Sequence, residues 1–378
     1  MADLLTLPEV RGTLATTEPL AAVSFATLAE DGRAAPYATY DDKWRKRPED
    51  APVTDPVPVW LTVPQLGQRY QLTFQAARQL GSTCRIPQDL QVSVPAEYVE
   101  SLVNWFLRQG LGERQLKLLL AGQGTDEHGA RVPLAVAQTR ATVQPFSNLA
   151  LLDEALKVIE AVYGKGAAVA AEAHFTLYHD LEHTDLRLVV PGAAQEIGGD
   201  AWAPGVEITN SCIGLKQTTV TGLLCRLESS AVALDGAHTA GGFKRLNSTP
   251  AEAYEWAGEA SRDVLDALEI AYANLGELAH REVGIDPGGF VESLAHEFRV
   301  PKAQVQRLTT LLEEAPGDLT MYAITALAGR AANMDGMKWR ARAQLMAMAG
   351  HIVHAEGGRC SKDRPCYRAL PPGFEHPA

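Results

Sequence analysis

Two histidines and two cysteines near the end of the chain form the set with the clearest chemistry. His351 and His354 lie three residues apart, so on a helix their imidazoles share a face. Cys360 and Cys366 follow in a Gly-containing stretch. Two imidazoles and two thiolates suit tetrahedral zinc. Four protein ligands leave no open position, so such a zinc is structural. The two cysteines stand wider apart than the two-residue gap of zinc knuckles. The alternative is a helix end followed by two free thiols.

A second group surrounds one hairpin: His174, His179 and His183, with Asp180, Glu182 and Asp185. Strand alternation puts His174 and His179 on opposite faces, which disperses a metal site and leaves a solvated hairpin end. Asn210-Ser211-Cys212 offers a hydroxyl and a thiol, but no base can be paired with them, so no nucleophile is assigned. Neither a Gly-Lys-Ser/Thr phosphate loop nor a Gly-x-Gly-x-x-Gly turn occurs. No catalytic residue emerges, and a non-catalytic protein is expected.

Binding chemistry is better represented. Lys43, Trp44, Arg45, Lys46 and Arg47 form the densest basic cluster, with an aromatic ring inside it. Such a cluster can stack bases and contact phosphates of a single strand. The alternative is an exposed loop neutralised by Asp41, Asp42, Glu49 and Asp50. Lys216, Arg226, Lys244 and Arg245 flank a strand-rich segment and would add a phosphate-binding groove if they share one face. The formal charge of the 378-residue chain is −12. An acidic chain repels nucleic acid at long range, so only a local groove is compatible with binding.

The elements that would position these groups follow from periodicity. Residues 1–64 suggest strands and loops, among them Ala21–Leu28 and Ala35–Tyr40. Residues 65–112 suggest a small helical subdomain. It resembles a helix–turn–helix but lacks a basic second helix, and so is taken as a packing unit. Between 113 and 240, alternation predicts hairpins at Arg114–Thr142 and Ala168–Val190, with a helix at Leu149–Tyr163 between them. The stretch from Gly198 to Gly236 opens on a Gly-Gly-Asp turn and runs through three β-branched segments. From 249 to 358 the pattern is helical, beginning at Thr249-Pro250 with Thr249 as cap. A short helix spans Phe290–Phe298, and another begins at Val300-Pro301. Residues 359–378 form a tail. The expected fold is therefore α+β: an antiparallel sheet from about 115 to 235, packed with helices and followed by an all-helical part. No internal repeat stands out.

Five cysteines form no dense disulfide framework. The first residues lack the basic and apolar regions of a secretion signal, and no apolar run is long enough to span a membrane. A reducing cytoplasm is the expected setting.

Several segments resemble the phage- and plasmid-borne proteins that carry the domain of unknown function numbered 932. They are Arg131–Leu156, Ile197–Arg226, Thr320–Ala355 and Leu72–Gly110, within roughly residues 65–355. Cys212-Ile213, Thr139-Arg140-Ala141 and Glu228-Ser229-Ser230 depart from that family's pattern. The resemblance implies a mobile-element origin, and hence the cytoplasm of a bacterial host, and brings no reaction with it. The order of strands and helices also matches that of single-strand annealing proteins in layout. The expectation is a non-catalytic protein that holds single-stranded DNA or RNA in recombination or replication, with possible homo-oligomers. The alternative is a phage accessory protein that binds a host protein.

Overall fold

The computed structural model describes residues 6–17, 21–24, 37–40, 56–64, 67–108, 116–125, 130–140, 146–167, 175–179, 184–211, 217–227, 230–233, 239–243, 249–283, 286–315, 319–334, 337 and 339–356. In chain order, a first half contains helix α1 (Leu7–Thr17), strands β1 (Ala21–Ser24), β2 (Tyr37–Tyr40), β3 (Pro56–Val63) and β4 (Gln68–Thr73), helices α2 (Phe74–Thr83), α3 (Gln88–Ser93) and α4 (Ala96–Arg108), and strands β5 (Leu116–Thr125) and β6 (Arg131–Arg140). Helix α5 (Asn148–Tyr163) leads to β7 (Phe175–His179), β8 (Thr184–Val189), β9 (Gln195–Ile197), β10 (Asp200–Asn210), β11 (Thr218–Arg226), β12 (Ser230–Ala233) and β13 (Thr239–Phe243). Six helices close the described chain: α6 (Pro250–Asp266), α7 (Leu268–Leu278), α8 (Pro287–Glu297), α9 (Lys302–Glu313), α10 (Met321–Ala332) and α11 (Trp339–Glu356). The fold is α+β, with helices concentrated in the C-terminal part.

The strands form two sheets. One has the order β1-β5-β6-β4-β3-β2, and the other runs β12-β11-β10-β8-β7, with β9 on β10 and β13 on β11. The expected hairpin near 115–140 is present, but it joins the N-terminal strands. β5 pairs with β1 antiparallel, and β6 pairs with β4 in parallel. Hydrophobic alternation shows which face of a strand is buried but not which strand lies beside it, so a single sheet was expected where there are two. Helix α1 falls where strands and loops were expected; its buried side chains, Val10 and Leu14, lie four apart, a helical spacing.

Each sheet has its own core. Leu61, Tyr70 and Leu72 of the first pack with Leu80 of α2 and Val99 and Val103 of α4. Asn104 of α4 accepts a hydrogen bond from the Ala38 amide at 2.6 Å and donates to the Ala38 carbonyl at 2.8 Å. The larger core joins the second sheet to α1 and α5–α11. Its central residue is Trp202, fully buried. The Trp202 indole donates to the Tyr322 hydroxyl at 2.9 Å, and the Tyr272 hydroxyl donates to the Trp202 carbonyl at 3.0 Å. Burial, reinforced by the hydrogen bond to Asp200, raises the Tyr322 phenol above its usual range.

The Gly-Gly-Asp turn expected from the sequence links β9 to β10. Gly198 and Gly199 both have positive φ, at 61° and 86°, as a two-residue hairpin turn of the primed kind requires. A Cβ on Gly198 would lie 2.8 Å from the Tyr322 ring, so glycine is required there twice over. Thr249 caps α6 through a complete capping box with Glu252, and Pro250 stands in the first turn, as the sequence predicts. Ser147 caps α5. Among the described residues, no helix is long and apolar enough to cross a membrane.

Candidate nucleic-acid interface

Helices α8 and α9 are joined by four residues, Phe298-Arg299-Val300-Pro301. The join has a defined geometry. Arg299 is left-handed, with φ 54°. Its amide donates to the His296 carbonyl at 3.0 Å, and the Val300 amide donates to the Ala295 carbonyl at 2.8 Å. These two bonds make a Schellman stop, in which the residue after the cap is usually glycine. Pro301 then ends the turn in an extended conformation and opens α9. Leu294, Ala295, Val300 and Leu308 are buried, and Phe298 and Val305 pack against the same core. A four-residue join between two helices packed on a common core is of the length found in helix–turn–helix units.

The outer face of α9 differs in character. Lys302, Ala303, Gln306, Arg307 and Thr310 are exposed, and so is Arg299 in the turn. Among the described residues, none of the three cations forms an ion pair. Lys302 stands at the first helical position, no acid lies in the first turn, and no side chain caps the helix. A cation at a helix N-terminus opposes the helix dipole. The arrangement is locally unfavourable and becomes favourable when an anion arrives at the same end.

The sequence contains the signal for this unit. Leu294, Ala295, Phe298, Val300, Val305 and Leu308 have its spacing, and both helices are legible separately. What periodicity does not reveal is an arginine in the place of the expected glycine. The same motif occurs earlier. α2 and α3 are joined by Cys84-Arg85-Ile86-Pro87, with Arg85 at φ 57° and amide bonds from Arg85 to Ser82 and from Ile86 to Gly81. Arg-Ile-Pro and Arg-Val-Pro thus mark a local repeat that inspection of the sequence passes over. Residues 65–112, expected as a helical packing unit, begin with strand β4, and α2 and α4 pack on the sheet to which β4 belongs. α3 has six residues, and its Gln91 is buried, donating to the Ile86 carbonyl at 2.9 Å.

The second concentration of charge is internal. Asp185 and Arg187 on β8 and Glu207 on β10 share the sheet face opposite Thr184 and Asn210. Arg187 donates from Nε to Glu207 at 2.7 Å and reaches Asn333 at 3.4 Å and the Met346 sulfur at 2.9 Å. Burial, then the neighbouring Glu207 charge, raises the Asp185 carboxyl well above the usual carboxylate range. Burial opposes ionisation of Glu207 as well, but the charge of Arg187, hydrogen bonds with Asp185 and Arg187 and the charge of Arg342 together hold that carboxyl low. Glu207 is thus the carboxylate that answers the Arg187 charge, and Arg342 is a further cation acting on both acids. Asp185 is therefore not part of a solvated hairpin end. The nearby Cys225 thiol is pushed up to about 12 by burial, so it supplies no thiolate.

The other expected positions divide clearly. Lys43, Trp44, Arg45, Lys46, Arg47, Lys216, Lys244 and Arg245 lie outside the described residues. Arg226 pairs with Asp200 at 3.2 Å on the second sheet. His351 is buried beside Phe298, with ring centroids 5.2 Å apart. His354 lies on α11, its side chain outside the described residues, as are Cys360, Cys366, His174 and His183. Among the described residues, no group of three or more metal-binding side chains converges. Comparison with protein-family models, curated proteins and solved structures gives no match.

Proposed function

We propose that the protein binds DNA without catalysing a reaction on it, and that α9 is the element that enters the major groove. The observation that carries this reading is the α8–α9 unit: a helix–turn–helix turn followed by a helix whose exposed face is Lys302, Ala303, Gln306, Arg307 and Thr310. An α-helix fits the major groove of a duplex, where Gln and Arg can read purine edges through paired hydrogen bonds. Lys302 and Arg299, at the N-terminal end of the helix, suit phosphate contacts, which fix register. Glu313 and Glu314 lie at the far end of α9, away from the proposed contact. A net charge of −12 means that this local cationic end must overcome long-range repulsion, so binding weakens steeply with salt.

The mobile-element resemblance supports a protein of phage or plasmid nucleic-acid transactions. It does not favour duplex over single strands; the α9 face does. Single-strand binding would rest on the Trp44 cluster instead. The test is selection of bound sequences from a random duplex pool at low salt, followed by salt titration on the best duplex and on its separated strands. The expected result is a duplex preference in which Gln306→Ala relaxes one selected base pair at a cost of about 1–3 kcal/mol. Lys302→Ala should weaken all duplexes and lower the salt slope by about one unit. Equal binding of every nucleic acid, or binding unaffected by both substitutions, removes the proposal.

A further inference from the structure

The exposed face of α4 carries three large apolar side chains at helical spacing. Tyr98 is 59% exposed, Leu102 40% and Trp105 50%. Positions i, i+4 and i+7 lie along one side of a helix. The opposite side, Ala96, Val99, Val103 and Leu107, is buried against the first sheet. The stripe is therefore additional to what folding α4 requires. Tyr and Trp are the residues most concentrated in the centres of protein interfaces.

Charge indicates what covers the stripe. Glu97 lies in the first turn and Arg108 in the last, and both are exposed on the same flank of the stripe. Leu102 stands midway between them. A pattern that is acidic at one end, basic at the other and symmetric about its centre complements itself when a second copy lies antiparallel. We infer that α4 is a self-association surface that pairs two copies of this chain about a two-fold axis near Leu102. Leu102 meets its own equivalent, and Tyr98 meets Trp105 of the other copy. Glu97 faces Arg108 of the other copy at both ends. This contact is isologous, so it closes at two copies and does not propagate. A helix of 13 residues is about 20 Å long, so the contact is at the small end of specific interfaces and the dimer is a weak one.

The inference stands apart from the DNA reading and can fail or hold without it. Sedimentation velocity on the full chain, without nucleic acid, from about 5 to 200 µM tests it. The expected result is a monomer–dimer equilibrium that Trp105→Ala abolishes. Glu97→Arg and Arg108→Glu should each raise the dissociation constant about tenfold, and the combined charge reversal should return it to within about twofold of the original. Circular dichroism confirms that these surface variants remain folded. A monomer at every concentration overturns the inference. So does a dimer indifferent to Trp105, or one in which the double reversal fails to restore association.

Discussion

The Nε of Arg187 lies 2.7 Å from the carboxylate of Glu207, and the two residues stand directly opposite one another on adjacent strands. Both side chains are nearly removed from solvent, at 7% and 12% exposure. The guanidinium continues outward to Asn333 at the end of α10 and Met346 in α11. One side chain thus ties the second sheet to the two last helices. Breaking such a pair leaves a buried charge without a partner, which typically costs about 3–5 kcal/mol. Arg187→Met and Glu207→Gln should each lower stability by that order in urea unfolding. The double change should cost clearly less than the sum, because it leaves neither charge exposed to the interior.

Asp185 gives the same cluster a pH dependence. Its folded carboxyl titrates above its unfolded value of about 3.9, so the native state holds a proton that the unfolded chain has released. The associated stability is fully present below the unfolded pKa and is lost as pH rises towards the folded value. Glu207 has the opposite sign: its contribution is present above its unfolded value and disappears in acid. Asp185→Asn keeps a neutral side chain at every pH. Thermal midpoints followed from mildly acidic to mildly alkaline pH should fall for the native chain and stay flatter for the variant. A parallel decline in both would remove Asp185 as the cause.

Arg299 occupies a conformation that costs an L-residue about 1–2 kcal/mol and glycine almost nothing. Arg299→Gly should therefore stabilise the fold by up to about 1 kcal/mol, while weakening duplex binding through loss of an exposed cation. Arg85→Gly should stabilise to a similar extent with binding unchanged. Melting curves and salt-titrated binding on the two variants separate the two roles.

Gly81 makes room for a buried side chain. A Cβ there would lie 2.2–2.4 Å from the side-chain amide atoms of Gln91, which is itself buried and bonded to Ile86. Gly81→Ala should destabilise by about 1–3 kcal/mol through overpacking. Adding Gln91→Val should recover much of the loss, because Ala295 and Val305 fill the equivalent places in the α8–α9 unit. Denaturant midpoints of the single and double variants give the coupling.

The legible parts of this chain were those governed by local rules. The Thr249 cap, the Gly198-Gly199 turn and the helices from 249 onward follow from residue type and period. The division into two sheets was not legible, because β4 pairs with β6 across more than sixty residues and alternation carries no partner. Local density of Lys and Arg points to the cluster around Trp44. The α9 face was missed because its cations are few: its signal lies in apolar spacing on the hidden side and in one arginine at a glycine position. The Asp185–Arg187–Glu207 cluster was missed for a related reason. Its acids look like surface residues in sequence, and only register brings Glu207 against Arg187.

The amide of Asn104 has one further effect. By bonding to both the N–H and the C=O of Ala38, it takes the place of a neighbouring strand beyond β2, the last strand of its sheet among the described residues. Open strand borders invite pairing with other polypeptides and so lead to fibrous aggregates. Here a helix side chain terminates the ladder at Ala38, with Glu100 receiving the amide of Tyr40 at 3.1 Å. Growth of the sheet past β2 is blocked by two residues of α4, without recourse to a proline or a bulge.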